Sequence, residues 1–226
     1  MLTTKTKVAF GFGASGEAAT NWIFNSLAFF FYNQILGLSG TLTALAVGIG
    51  IAFDAVSDPL IGSISDRFRS SLGRRHPLMY AAPVPLVISI FAMFHAPVDS
   101  SQIQLFVWFT FWTVAMRASS TLFAVPHLAL GAELSADYFE RTRVMSFNNL
   151  LYFAGVIVMH SVVWFVVFPQ YADGRMDQAA YFPIVIFCCT LVLMAMFSSA
   201  FGTQKSSPSN LPQIPLDFGR NGTFWD

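Results

Sequence analysis

The chain has 226 residues, of which 55% are hydrophobic, 16% aromatic and only 11% charged. Soluble domains carry about 25% charged residues, so this sequence cannot coat a water-facing surface and reads as a membrane protein. Its formal net charge is zero, which argues against a nucleic-acid partner, since that calls for a basic patch.

Six long apolar segments follow one another. The first runs from about Glu17 to Gly37, the second from Thr41 to Ser65, and the third from Leu78 to Ala96. The fourth runs from Ile103 to about Leu130, the fifth from Val144 to Phe168, and the sixth from Ala180 to Phe201. Each approaches or exceeds the roughly 20 residues that carry a helix across ~30 Å of hydrocarbon. Spanning strands need only ~10 residues of alternating polarity, and that alternation is missing. The first segment is interrupted by Asn21, Asn25 and Asn33 and lacks a small-residue cleavage pattern, so it is not a signal peptide. The expected fold is all-α, with six transmembrane helices over residues 1–201. Residues 202–226 form a cytoplasmic tail in which Pro208, Pro212 and Pro215 among serines and asparagines give a linker composition.

Charge sets the expected orientation. Lys5 and Lys7 precede the first segment, Arg67, Arg69, Arg74 and Arg75 separate the second from the third, and Arg141 and Arg143 separate the fourth from the fifth. Lys205 and Arg220 follow the sixth, while the intervening loops hold only Arg175, between Asp173 and Asp177. The positive-inside rule then places both termini in the cytoplasm. The adjacent Cys188 and Cys189 lie in an apolar run and read as small packing residues rather than a disulfide.

Charges inside the apolar segments carry the functional signal. Asp54 and Asp58 share one face of the second helix. Each costs about 2.5–3.5 kcal/mol at the bilayer centre, so such groups face a cavity or a partner. Pro59 and Gly62 follow and can free carbonyls there. Two carboxylates a turn apart suit a proton, or sodium or lithium if a metal is used. Their other reading is a structural ion pair, for which Arg117 is the partner at comparable depth in the fourth helix. Arg117 equally suits gripping an anionic or hydroxyl-rich substrate. Thr121 lies one turn further on the same face and offers a hydroxyl ligand. Glu17 is expected to open the first helix and favour its dipole, with Asn21 and Asn25 continuing its face toward a polar substrate. His127, beside Pro126, reads as a packed residue or a proton relay.

Gly11 to Gly16 fit the GxGxxG dinucleotide fingerprint, but no strand precedes and no βαβ unit follows, so the match is rejected in favour of a close-packing or flexible entry to the first helix. No GxxxxGK[ST] phosphate loop and no credible nucleophile, metal cluster or paired acids in a loop occur, so an enzyme or ATP-driven pump is not expected.

The stretch Asp54-Ala55-Val56-Ser57-Asp58-Pro59-Leu60-Ile61-Gly62, with Ser65-Asp66-Arg67 and Gly73-Arg74-Arg75-His76-Pro77, resembles the glycoside–pentoside–hexuronide:cation symporters, the melibiose-carrier-like branch of the major facilitator superfamily. Gly11-Phe12-Gly13, Val125-Pro126 and Glu133-Leu134-Ser135-Ala136-Asp137 leading to Glu140-Arg141-Thr142-Arg143 agree with it. The resemblance covers the whole chain but only the N-terminal half of such a transporter. It implies one major-facilitator-type bundle, half of twelve helices, carrying a sugar or glycoside across a bacterial inner membrane with H+ or Na+ and no other cofactor. It implies cation binding by Asp54, Asp58 and Thr121, and a cytoplasmic gate of Asp66, Arg67, Arg74, Arg75, Glu140 and Arg141. Substrate contacts are expected from Arg117, Asn21, Asn25 and Asn148. The sequence departs from the melibiose carrier at Ala124 and near Ala18, where that carrier has acids, and at Asn148, where it has a base. Fewer ligand oxygens favour proton over sodium coupling. The partners implied are a small solute, the lipid bilayer, and a C-terminal six-helix half or a second copy. The expectation is a fragment or truncated product needing a second half; the alternative is an inactive half-transporter or a membrane scaffold.

Overall fold

The computed structural model describes residues 2–68, 70, 72–97, 100–135 and 137–204. The expectations placed on Arg69, Lys205, Arg220 and the tail beyond residue 204 lie outside the described residues. Among these residues every regular element is helical.

Helix α1 (Thr4–Ile23) starts at Thr3, whose hydroxyl accepts from the Thr6 amide. It continues through π-helical turns at Phe24–Ala28 and Phe31–Ile35. The first helix therefore does not begin at Glu17, as the apolar run suggested; Glu17 lies in its middle, remote from any terminal dipole. The reason lies in the glycine-rich stretch before it. A Cβ on Gly11 would sit 2.6 Å from the Phe147 carbonyl oxygen, and one on Gly13 2.7 Å from Ser199 Cβ. Those glycines let neighbouring helices close onto α1, and this burial outweighs their poor helix propensity of ~1 kcal/mol each.

Helix α2 (Gly40–Arg67) is capped by Ser39 and contains Pro59. The third apolar segment is divided into α3 (His76–Ala81) and α4 (Pro83–Met93), broken just before Pro83, where proline removes an amide donor. Helix α5 (Gln102–Glu133) starts at a reciprocal capping box of Ser101 and Gln104 and contains Pro126. Helix α6 (Tyr138–Ser161), capped by Asp137, runs on through a π turn at Val162–Val167. Helix α7 (Tyr181–Gln204) completes the described chain.

Among the described residues, four helical stretches are long and apolar enough to cross a membrane by length and composition: Gly40–Arg67, His76–Met93, Tyr138–Gln170 and Gln178–Gln204. The two that fall short of the six expected are α1 and α5. Both are long, but α1 carries Glu17, Thr20, Asn21 and Asn25, and α5 carries Arg117, Ser119, Ser120, Thr121 and His127.

Helix α1 lies along α6 and α7, α2 lies along α5, and α4 bridges α5 and α7, whereas α1 meets α5 only briefly. An aromatic cluster closes the end remote from Arg74 and Arg75. There Tyr32 stacks on Phe109 with ring centroids 3.9 Å apart, and its hydroxyl donates to the Met93 carbonyl at 2.7 Å. Large apolar side chains stand exposed along α2 (Leu45, Val56, Leu60) and α6 (Phe153, Ile157), a surface suited to lipid rather than to water.

Candidate functional site

The polar residues of α1, α2, α5 and α6 converge on one cavity of about 320 Å³. Its wall includes Glu17 and Asn21 from α1, Asp54 and Asp58 from α2, and Asn148 from α6. Helix α5 adds Arg117, Ser120, Thr121 and His127.

Close approach of α2 to α5 makes this convergence possible. Gly50 lies one turn before Asp54, and a Cβ there would sit 2.6 Å from Thr113 Cγ2. At that separation Arg117 Nη1 donates to Asp54 Oδ2 at 3.0 Å, and Thr121 Oγ1 donates to Asp58 Oδ1 at 2.9 Å. Arg117 also lies over the Phe24 ring, 4.6 Å from its centroid. The second oxygen of Asp54, Oδ1, is buried without a partner among the described residues, as is Asn148 Oδ1. Buried acceptors of this kind normally find a donor, so the wall retains capacity for a ligand, an ion or water.

Of the residues singled out from sequence, Asp54, Asp58, Thr121, Arg117, Asn21 and Asn148 share this wall. Asn25 does not; its side chain is exposed, away from the cavity. Glu17 and His127, read from sequence as a helix opener and as a packed residue or proton relay, also line it, as does Ser120, which was not singled out. His127 Nδ1 lies 2.8 Å from Glu17 Oε1, and its Nε2 lies 2.9 Å from the Phe10 carbonyl oxygen. Their signal was present in the sequence: Glu17 and Asn21 are four apart and share a helical face.

The family model described as MFS/sugar transport protein matches residues 9–216. The chain belongs to this family. It is similar to an uncharacterized symporter of Synechocystis, with 31% identity over 205 residues that cover 88% of this chain and 37% of the relative. The protein YagG of Escherichia coli, whose name describes a glycoside/cation symporter, is 26% identical across 71% of this chain and 35% of its own. A zebrafish protein named a sodium-dependent lysophosphatidylcholine symporter is 23% identical over 70% of this chain and 29% of its own. The chain thus spans about a third of the length of the curated relatives it matches.

This member of the MFS/sugar transport family also carries two charge clusters at the end of the bundle where α2, α5 and α6 meet their loops. Arg75 donates to Glu133 Oε1 and to Ser65 Oγ, and its Nη2 lies 2.7 Å from Asp66 Oδ1. Arg74 reaches the same Glu133 oxygen at 3.0 Å. Burial of Arg75 opposes its charge, but the hydrogen bonds and charges of Glu133 and Asp66 outweigh it and hold the guanidinium above the usual arginine range. The second cluster joins Lys7 to Glu140 at 2.8 Å and Arg143 to Glu140 at 3.2 Å. The expected gate residues therefore divide. Asp66, Arg74 and Arg75 meet around Glu133, Glu140 belongs to the other cluster, Arg67 is exposed, and Arg141 reaches the Ser135 carbonyl at 3.4 Å.

Proposed function

We propose that this chain is the N-terminal six-helix bundle of a twelve-helix secondary symporter that moves a sugar or glycoside-like solute together with a proton. The observation that carries the reading is the paired arrangement of Asp54 with Arg117 and Asp58 with Thr121 on one cavity wall. Carboxylates held by partners that can let go suit a site that must bind and release an ion in each cycle.

Proton is favoured over sodium because of what surrounds the two acids. A guanidinium 3.0 Å from Asp54 repels a metal ion at that carboxylate, and the Thr121 hydroxyl that donates to Asp58 adds one neutral oxygen beside it. Protonation of Asp54, in contrast, would neutralise the carboxylate, break the ion pair and release the charged Arg117 toward a hydroxyl-rich solute. Asn21 and Asn148 supply further amide groups for such a solute.

The reading takes α1 and α5 as spans as well, since their polar residues face the cavity and lower the apolarity of the helices without exposing charge to lipid. The positive-inside rule puts the Arg74, Arg75 and Lys7 end in the cytoplasm, with a bacterial inner membrane as the location. Breaking and remaking the Arg75–Asp66–Glu133 cluster would gate that face in a rocking cycle against a second six-helix half or a second copy. Names among the relatives support cation symport at family level, with the solute open between sugars and other small molecules.

The test is flux in proteoliposomes containing this chain alone, or this chain with a complementary six-helix half. Labelled glycosides are offered under imposed proton or sodium gradients. Uptake driven by a proton gradient in either preparation supports the proposal; sodium-driven uptake overturns its ion, and no uptake in both points to an inactive half or a scaffold.

A further inference from the structure

His127 sits 2% exposed beneath the cavity, held between the Phe10 and Phe123 rings at centroid distances of 4.2 and 5.0 Å. Its Nε2 faces the Phe10 carbonyl oxygen at 2.9 Å, an acceptor that Ser199 Oγ also approaches at 3.3 Å. A carbonyl has no hydrogen to give, so Nε2 carries the proton and donates it. The neutral ring would then present a bare lone pair at Nδ1. That atom lies 2.8 Å from Glu17 Oε1. Two lone pairs at this distance repel, so a hydrogen lies between the two atoms. It belongs either to Nδ1, facing a carboxylate, or to a carboxylic acid facing Nδ1. In both forms the pair has net charge zero and holds one dissociable proton.

We propose that Glu17 and His127 form a proton-binding site of their own, separate from Asp54 and Asp58, whose single proton fastens α1 to α5. Both residues line the cavity, so the proton has solvent to leave into. On release the shared N–H or O–H bond breaks, the proton passes to cavity water, and a carboxylate and an Nε2-protonated neutral imidazole remain. The charge of the pair falls from zero to −1. The two acceptors then push apart, and α1, which meets α5 only briefly, loses the Glu17 link to that helix and keeps the one from His127 Nε2 to the Phe10 carbonyl.

The surrounding charges make the site responsive. On the cavity wall α2 presents Asp54 and Asp58 and α5 presents Arg117, while α6 presents the neutral Asn148. Helix α7 presents Ser199, and Lys7, further along α1, is engaged by Glu140. With the shared proton in place the wall sums to −1; without it, to −2. The negative charge of an empty wall helps hold the shared proton; a cation arriving at Asp54 and Asp58 offsets that charge and weakens the hold, so binding of the cation and release of this proton favour one another by linkage. The site rests on the cavity reading above but not on transport itself.

Nitrogen NMR of the 15N-histidine-labelled chain in lipid nanodiscs tests it, with His127 assigned by the signal that His127→Asn removes. The Glu17 carboxyl is followed by infrared difference spectra over the same pH series. The expected result is Nε2 protonated throughout, with Nδ1 and the Glu17 band changing together in one coupled step. Glu17→Gln keeps a donor for Nδ1, so the fold is retained while the coupled step disappears. A bare Nδ1 beside an ionised Glu17 at every pH where the chain stays folded overturns the proposal. So does a step left unchanged by Glu17→Gln. A flux assay that fails while this step persists rejects the transport reading and leaves the proton site standing.

Discussion

Arg117 Nη1 lies 3.0 Å from Asp54 Oδ2, so the guanidinium on the cavity wall is already committed to a carboxylate. Any solute that Arg117 is to grip must first compete with Asp54. Asp54→Asn removes the charge from one side of this pair and leaves Arg117 partly buried without its counter-charge. Breaking a fully buried pair costs about 3–5 kcal/mol, and partial exposure of both side chains reduces that to about 1–2 kcal/mol. The expected outcome is a lower melting temperature in detergent, restored when Arg117→Gln is added. An unchanged melting temperature in the single variant counts against the pair as a structural tie.

Asp58→Asn is expected to behave differently. Asparagine keeps an oxygen for Thr121 to donate to, so stability should change by less than about 1 kcal/mol. Uphill accumulation of solute in vesicles should vanish, while downhill exchange persists. Accumulation at the parent level in this variant removes Asp58 from the coupling site.

Thr121→Val keeps the shape of the side chain and deletes its hydroxyl. A hydrogen bond to a charged acceptor contributes about 1.5–3 kcal/mol, so the proton-gradient dependence of uptake should weaken about tenfold or more. Thr121→Ser preserves the hydroxyl and should remain near the parent. Equal losses in the two variants would assign the effect to packing rather than to the bond with Asp58.

Gly50→Ala places a methyl 2.6 Å from Thr113 Cγ2 and must push α2 away from α5. Overpacking of this kind costs about 1–3 kcal/mol. Thr113→Ser removes the opposing methyl, so the double variant should recover most of the lost stability in a double-mutant cycle. Additive losses would mean that the helices do not approach as closely at Gly50.

Arg75 and Arg74 provide a matched contrast. The Arg75 side chain is 8% exposed and touches Ser65, Asp66 and Glu133, whereas that of Arg74 is 49% exposed and touches Glu133. Arg75→Ala should destabilise by about 2–4 kcal/mol, and Arg74→Ala by no more than about 1 kcal/mol. Thermal unfolding of the two variants side by side reads the difference.

The parts of this molecule that were legible in the sequence are those written as anomalies. A carboxylate within an apolar run cannot be idle, and the four-residue spacing of Asp54 and Asp58 was enough to put both on one helix face. The depth of Arg117 could be counted from the start of its own helix, which placed it near Asp54 before any coordinates. Glu17 was less readable because the glycines before it look like a loop, whereas close neighbours from α6 and α7 make them helical. That contact joins residues more than a hundred positions apart and leaves no local mark. The role of Glu133 was hidden for the same reason: its partners, Arg74 and Arg75, lie on a distant loop, while the nearer Arg141 and Arg143 drew attention to Glu140.

The π turns in α1 and α6 bear on how the chain tolerates change in length. A residue occupies ~100° of an α-helix, so a wider turn resets the azimuth of everything beyond it. The part of α1 that supplies Phe31 and Tyr32 to the aromatic cluster is thereby indexed separately from the part that supplies Glu17 and Asn21 to the cavity. Deleting one residue within Phe24–Ala28 would leave the cavity half of the helix in place and swing the aromatic half round. The two ends of this one helix therefore behave like separately keyed parts on a common shaft.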